Sequence, residues 1–442
     1  MSDEITRPLA RWAAGIRFEA VPDDVVEIAS QCILDWLAVT LAGSAEPAAR
    51  IALAVALDDE AGDRGATVVG TPTRLSPPAA AIVNGTASHA LDYDDANAAM
   101  IGHPTVPVLG ALLPLAEVRH ASGRDVLEAF VAGYETECRV GRALGSAHYR
   151  LGFHATGTVG TIGAATACAR LLDLDEAVTA VAIGLAATQA AGLKCMFGTM
   201  AKPLHAGKAA ANGLLAARLA ARGFSADAEA IEAPQGLAAT MGGSLNPERA
   251  GADRWYLRDN LFKYHASCLE THSTIEGIRA LRAQHDLAPQ QIDRIVVHAN
   301  TMQLGMCAIP EPTTGLEAKF SLRHLAAAAA LGIDTGATAS FADNLVADPK
   351  LVALRHRVEV TDDGPPTGGT PVEIHLTGGT RLTAAHDIHQ LTTDIAGQRR
   401  RLEDKATSLV RPILGDARTT QLIDSAREIA HCDDVADLLA LA

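Results

Sequence analysis

Residues 84–107 read NGTASHALDYDDANAAMIGHPTVP, a polar segment set into an otherwise apolar helical pattern. It crowds Asp92, Asp94, Asp95, His89 and His103 between two apolar runs, 79–83 and 106–115. A solvated loop does not have such flanks. Ionisable groups held against apolar surface acquire shifted pKa values, and such groups are overrepresented in active sites. The plainer alternative is a helix end with a polar cap, followed by a turn at Gly102-His103-Pro104. Two further clusters of the same kind, downstream, favour a site.

Outward from this stretch the pattern is helical. Pro22-Asp23-Asp24 opens a helix, with proline in its first turn and acids at the positive end of its dipole. Val25, Ile28, Cys32, Trp36 and Val39 keep near-helical spacing, and Gly43 ends the run. Residues 50–57 form a further helix, 66–70 are short, and Pro72, Pro77 and Pro78 mark a loop. A helix from about Pro78 enters the central stretch. Beyond it, 106–120, 124–144, 157–172, 175–193 and 202–222 read as helices. Up to about residue 250 there is almost no period-2 alternation, so this part is expected to be all-helical.

The pattern changes after about residue 260. Residues 292–299 (IDRIVVHA) and 358–361 read as strands, and 371–376 and 381–385 flank a hairpin turn at Thr377-Gly378-Gly379-Thr380. Helices are predicted over 269–284, 318–331 and 348–355, the last with Asp348 as N-cap, and again over 398–410 and 419–441. The expected fold is mainly α. A large all-helical domain spans 1–260, a smaller α+β lid domain spans 261–390, and C-terminal helices over 391–442 pack back on the helical domain.

Composition narrows the function. Hydrophobic residues make 48% of the 442 and aromatics only 4%, which suits close-packed helices with small residues at their contacts. A net charge of −15 argues against nucleic-acid binding and means that an anionic substrate needs its own local cations. The seven cysteines are scattered without a C-x-x-C pair, as in a reduced, cytoplasmic chain lacking a disulfide framework or structural zinc. The N-terminus has no signal-peptide apolar core. The longest run free of charge and histidine, 177–193, is short and weakly apolar for a membrane span.

Four clusters carry candidate chemistry. In the first, Asp92, Asp94, Asp95 and His103 cannot all ionise comfortably if buried together. D-Y-D-D plus a histidine also resembles a hard-cation ligand set, but the acids are not in EF-hand spacing and no HExxH-type motif accompanies them. In the second, Gly152-Phe153-His154-Ala155-Thr156-Gly157, His154 stands at a helix N-terminus, where the dipole disfavours its cationic form. A simple capping histidine is the alternative. In the third, 198–208, Lys202 carries the wrong charge for a first helical turn, an arrangement that would suit a carboxylate ligand; His205 follows, and Lys208 reads as a surface residue. The fourth is Lys263 in 261–268, LFKYHASC, at the expected domain junction, with an exposed linker lysine as the alternative. Cys268 invites a nucleophile reading without a convincing Cys/His signature.

The blocks HALDYDD…GHPTVPVLGALLPLAE, GFHATGTVGTIGAAT, FGTMAKPLHAGKAAANGLLAARLAARGF and LFKYHASC, in this order and over nearly the whole chain, resemble the MmgE/PrpD family. The resemblance implies a large helical domain, a smaller α+β lid, a cleft between them, a homodimer and no required cofactor or metal. It implies a cofactor-independent lyase of dehydratase type acting on a small di- or tricarboxylate, with epimerase and decarboxylase activities as family alternatives. It assigns Asp92, His103, His154, Lys202 and Lys263 to catalysis, and Asp95, Ala96, Thr156, His205 and Cys268 to substrate contact. Relatives of the decarboxylase type have Thr where Ala96 stands, a His near Cys268 and a Tyr shortly after the strand, whereas 301–310 contains no tyrosine. These departures point to a smaller or less polar substrate pocket. A carboxylate-binding protein without turnover and a metal-dependent hydrolase are the readings from other classes.

Overall fold

The computed structural model describes residues 4–59, 65–242, 245–251 and 254–442, and it is mainly α-helical with a smaller α+β part. Two compact units are present. The larger comprises residues 1–196, 200–262 and 393–442; the smaller comprises 197–199 and 263–392.

The core of the larger unit is a group of helices rich in small residues. Pro77–Ala90, Thr105–Val118, Ala155–Leu171 and Ala201–Ala220 pack on one another, and Gly123–Arg150 packs along Ala155–Leu171. Small side chains let the backbones approach closely. At the crossing of Pro77–Ala90 with Ala201–Ala220, a Cβ on Gly85 would lie 2.8 Å from the Gly207 Cα. Buried threonines in these helices return hydroxyls to the preceding turn, as Thr86 does to the Ile82 carbonyl at 2.7 Å and Thr161 to the Gly157 carbonyl at 2.8 Å.

The helix Asp23–Gly43 is long and apolar enough to cross a membrane, yet 83% of its apolar window is buried inside the fold. The C-terminal helix Ile395–Leu414 packs along it. Lys405 on that helix reaches Asp35 at 2.7 Å, donates to the Tyr93 carbonyl at 2.7 Å and lies 4.0 Å from the Tyr93 ring centroid. This buried ammonium secures the D-Y-D-D segment from below.

The smaller unit holds a four-stranded sheet. Its strands are β3 (Ile292–His298), β4 (Val358–Thr361), β5 (Thr370–Leu376) and β6 (Arg381–His386), in the order β4-β3-β5-β6. Only the β3–β4 pair is parallel. Helices His272–His285 and Leu322–Leu331 pack against this sheet and against each other.

Several sequence expectations need correcting. The larger unit is not purely helical: β1 (Ala66–Thr67) and β2 (Arg74–Leu75) form a small antiparallel pair. Buried Glu117 holds it, accepting from the Thr67 N–H at 2.7 Å and from Arg74 at 2.8 Å. Helix 124–144 continues to Arg150 through a kink at Gly145, whose φ of 65° only glycine adopts readily. The helix expected over 318–331 starts later, at Leu322, because the Ser321 hydroxyl caps it by accepting from the His324 N–H at 3.2 Å, and Ala318 instead ends a short separate helix, Gly315–Ala318. The run 419–441 breaks into Asp416–Arg427, a turn at Ile429–His431 and Val435–Leu439, the last capped by Asp434.

Glu137, in the helix Gly123–Arg150, is fully buried against Gly160 and Gly163, and neither carboxyl oxygen meets a hydrogen-bond partner among the described residues. Burial, reinforced by the Asp95 charge, pushes its carboxyl well above the ordinary value of 4.5. A raised folded-state value means that its contribution to stability is fully present below that ordinary value and is lost as the pH rises. Glu137→Gln should therefore raise the melting temperature more at pH 8 than at pH 4, the difference corresponding to about 1–3 kcal/mol. Equal shifts at the two pH values would show that Glu137 ionises as an ordinary glutamate does.

Candidate active site

Three helix ends bring the site together. The helix Pro77–Ala90 ends with His89 in its last turn, and the chain then turns through Leu91 into Asp92, whose φ is 52°. This left-handed position is one that aspartate tolerates better than most residues. His154 is the N-cap of the helix Ala155–Leu171. Lys202 and His205, three residues apart in the first turns of the helix Ala201–Ala220, share a face.

The acids divide into three roles. Asp92 pairs with Lys202, Nζ to Oδ1 at 2.6 Å, with both side chains 3% exposed. Asp94 sits between two imidazoles: both of its oxygens lie 2.9 Å from His89 Nδ1, and Oδ2 lies 3.2 Å from His103 Nδ1. Asp95 turns inward to Thr105, accepting from its hydroxyl at 2.5 Å and its N–H at 3.4 Å.

The charge states follow from these surroundings. Burial works against ionisation of Asp94, yet the two adjacent imidazoles hold its carboxyl well below the usual range. Burial keeps His89 neutral, its value falling to about 3 despite Asp94. Burial raises Asp95 to about 7, with the Asp35 and Asp94 charges adding to the effect against the Thr105 hydrogen bonds. Burial, and then the Lys202 charge, lower His154 well below the ordinary imidazole value.

Carbonyl and carboxylate acceptors set the tautomers. His103 Nδ1 lies 2.7 Å from the Asp95 carbonyl oxygen, so it carries a proton and leaves Nε2 as the basic atom, 4.0 Å from Asp92 Oδ1. The His103 N–H donates to Thr156 Oγ1 at 3.0 Å, which fixes the turn ahead of Pro104. His89 likewise presents its proton on Nδ1 to Asp94, and its buried Nε2 has no hydrogen-bond partner among the described residues. The rings converge: His89 lies 4.7 Å from His103 and 5.7 Å from His154, and His103 lies 6.3 Å from His154, centroid to centroid.

The donor set of His89, Asp92, Asp94 and His103, with one ligand atom each within 4.8 Å of the others, has the composition of a cation site. The Lys202 ammonium already supplies positive charge there, and a divalent ion among the same donors would face it at short range. The residues therefore suit an internal ammonium better than a metal.

Of the residues singled out from the sequence, Asp92, His103, His154, Lys202, Thr156 and His205 come together here. Asp94 orients His89, while Asp92 is committed to Lys202. Asp95 is engaged by Thr105, and Ala96 takes part through its backbone, paired with Leu261 at 2.9 and 2.8 Å. Lys263 and Cys268 fall in the smaller unit and both are buried, Lys263 fully, so the exposed-linker reading of Lys263 does not hold. His89 and Asp94 join the site beyond the residues that the resemblance assigns. Their signal is the five-residue spacing from the last helical turn across Asp92, which lets the chain fold back on itself.

The MmgE/PrpD N-terminal domain matches residues 7–250 and the MmgE/PrpD C-terminal domain matches 265–429. The chain belongs to the MmgE/PrpD family. Within this family it is similar to a cis-aconitate decarboxylase of Aspergillus terreus, 26% identical over 99% of this chain and 95% of the relative. It is 30% identical to the human cis-aconitate decarboxylase over 81% of this chain and 77% of the relative. It is also 32% identical to the cis-aconitate decarboxylase-like protein oryM of Aspergillus oryzae, over 64% of this chain and 62% of that relative's length. The MmgE/PrpD blocks contain the clustered residues His89–His103, His154 and Lys202–His205.

Breaking a buried ion pair by removing one partner costs about 3–5 kcal/mol, because the other charge is left uncompensated. Lys202→Met should therefore lower thermal stability sharply, and adding Asp92→Asn should recover part of the loss. Additive destabilisation in the double variant would show that the two side chains do not depend on each other.

Proposed function

We propose that this protein is a cofactor-independent lyase of dehydratase type, acting on a small di- or tricarboxylate by proton transfer at a carbon alpha to a carboxylate. The observation that carries this reading is the pairing of two basic imidazoles, His103 and His154, with the buried ammonium of Lys202. Membership of the MmgE/PrpD family supports it.

A proton alpha to a carboxylate is weakly acidic. Its removal needs a base within hydrogen-bond reach and a cation for the charge that develops. His154, held neutral, supplies the base. His103, its Nδ1 proton fixed by the Asp95 carbonyl and Asp94, presents Nε2 as the second acid–base atom. Lys202 attracts the substrate carboxylate and stabilises the enediolate, while Asp92 holds the ammonium in place. Loss of a β-hydroxyl completes dehydration, with His103 acting in its imidazolium form: Nδ1–H stays on the Asp95 carbonyl and Asp94 while the Nε2 proton passes to the departing oxygen, which leaves as water. The family resemblance also assigns Lys263 to carboxylate binding, and Lys263→Met tests that residue.

Decarboxylation is the second reading, favoured by the names of the relatives. In that case Lys202 would stabilise the same enediolate after loss of CO2, and an imidazole would protonate it. Epimerisation needs two bases on opposite faces of one carbon.

Proton NMR in D2O with 2-methylcitrate, citrate, cis-aconitate and iminodisuccinate separates these outcomes. A new alkene signal with loss of water marks a dehydratase, CO2 release a decarboxylase, and exchange at one carbon alone an epimerase. No change with any of the acids would overturn the proposal. His103→Ala and His154→Ala should each lower kcat by about 10²-fold or more with the fold intact; full activity in either would remove that residue from the mechanism. Because burial holds His154 below the ordinary imidazole value of 6.5, the acid limb of kcat/KM should fall below that pH. A limb at or above it would mean that another group is the base.

A further inference from the structure

His154 is 1% exposed and enclosed by the His89 and His103 rings on one side and His205 on the other. A base in this position has a problem that the chemistry above does not solve. After taking a proton it must return to its starting state, and its own ring has almost no access to solvent.

His205 meets this need. Its Nδ1 lies 3.0 Å from His154 Nδ1, with ring centroids 5.2 Å apart. A contact of this length between two imidazole nitrogens requires one to donate and the other to accept. The His205 ring and the His154 backbone lie against Gly192. A Cβ there would stand 3.4 Å from His205 Cγ and Nδ1 and 3.4 Å from the His154 carbonyl oxygen, while the His154 N–H donates to the Gly192 carbonyl at 3.0 Å. His205 is itself only partly buried, unlike His154. The charged groups facing the pair are Lys202, one turn before His205 on the same helix, and Asp92, which is bound to Lys202.

We propose that His205 is a positioning and relay residue that carries protons between His154 and solvent. The inference rests on the reading of His154 as the base. As the substrate Cα–H proton arrives at His154 Nε2, the His154 Nδ1 proton passes to His205 Nδ1, and the His205 Nε2 proton leaves to water. One proton enters, one leaves and no charge accumulates between Lys202 and the rings. To reset, the His154 Nε2 proton passes to His103 Nε2, which gave its own to the departing hydroxyl, while His205 takes a proton from water at Nε2 and returns its Nδ1 proton to His154 Nδ1. His205 touches no reacting atom.

The test uses the full-length chain, with His205→Phe keeping ring volume and His205→Gln keeping a polar side chain. With a turned-over acid, His205→Phe should lower kcat at least ~10-fold with KM unchanged. Added imidazole should restore the rate in a concentration-dependent way, while wild type stays insensitive to buffer. A kcat within twofold of wild type, or a loss that imidazole does not relieve in either variant, would overturn the relay. In parallel, ¹⁵N-histidine NMR reads the His154 tautomer directly, without substrate. A changed Nδ1 signal in His205→Phe supports the coupling, and an unchanged one refutes it. If wild type turns over no acid at all, the functional reading fails, and the NMR arm alone decides whether the two imidazoles share a proton.

Discussion

A single ammonium–carboxylate contact, Lys202 to Asp92, ties the left-handed end of one helix to the first turn of another. Both groups are nearly excluded from water, and neither is tolerable there alone. Lysine at a helix N-terminus is opposed by the dipole, and Asp92 bears an unfavourable φ. Each local cost is offset only in the presence of the other. The pairing requires the helices Pro77–Ala90 and Ala201–Ala220 to lie close together, and Gly85 against Gly207 allows this. The imidazole cluster is arranged around this contact.

Asp94 does for the histidines what Asp92 does for the lysine. By lying on the Nδ1 side of both His89 and His103, it leaves Nε2 as the basic atom of each ring. Burial then keeps His89 and His154 uncharged beside the Lys202 ammonium. Neutral bases around a fixed cation are an arrangement suited to moving a proton next to a carboxylate. A second buried lysine, Lys405, holds the same segment from the opposite side through the Tyr93 carbonyl and Asp35, so two ammonium groups fix the short acidic turn.

The parts of the fold legible in the sequence are those set by local pattern. The helical spacing of Val25 to Val39, the absence of alternation before residue 250 and the Gly-Gly turn at 378–379 each point to the observed elements. The departures have local causes of another kind. Ser321 and Asp434 start new helices by capping inside runs of unbroken helical propensity, and Gly145 kinks a helix whose apolar period continues past it. The β1–β2 pair depends on Glu117, some 40 residues away from Arg74, and no window of sequence contains that contact.

The same division holds for the site. Local pattern alone is enough for the helical class and for marking Asp92, His103, His154 and Lys202 as chemically unusual, because an ionisable side chain among apolar neighbours, or a charge at the wrong helix end, is a local fact. The tertiary structure decided the partners: Asp92 with Lys202 across 110 positions, Asp94 with two imidazoles, His154 with His205 across 51 positions. A hydrogen bond is short and directional, so which carboxylate meets which nitrogen depends on where the helix axes cross. That crossing is set by small residues, such as Gly85 and Gly207, whose importance lies in the atoms they leave room for.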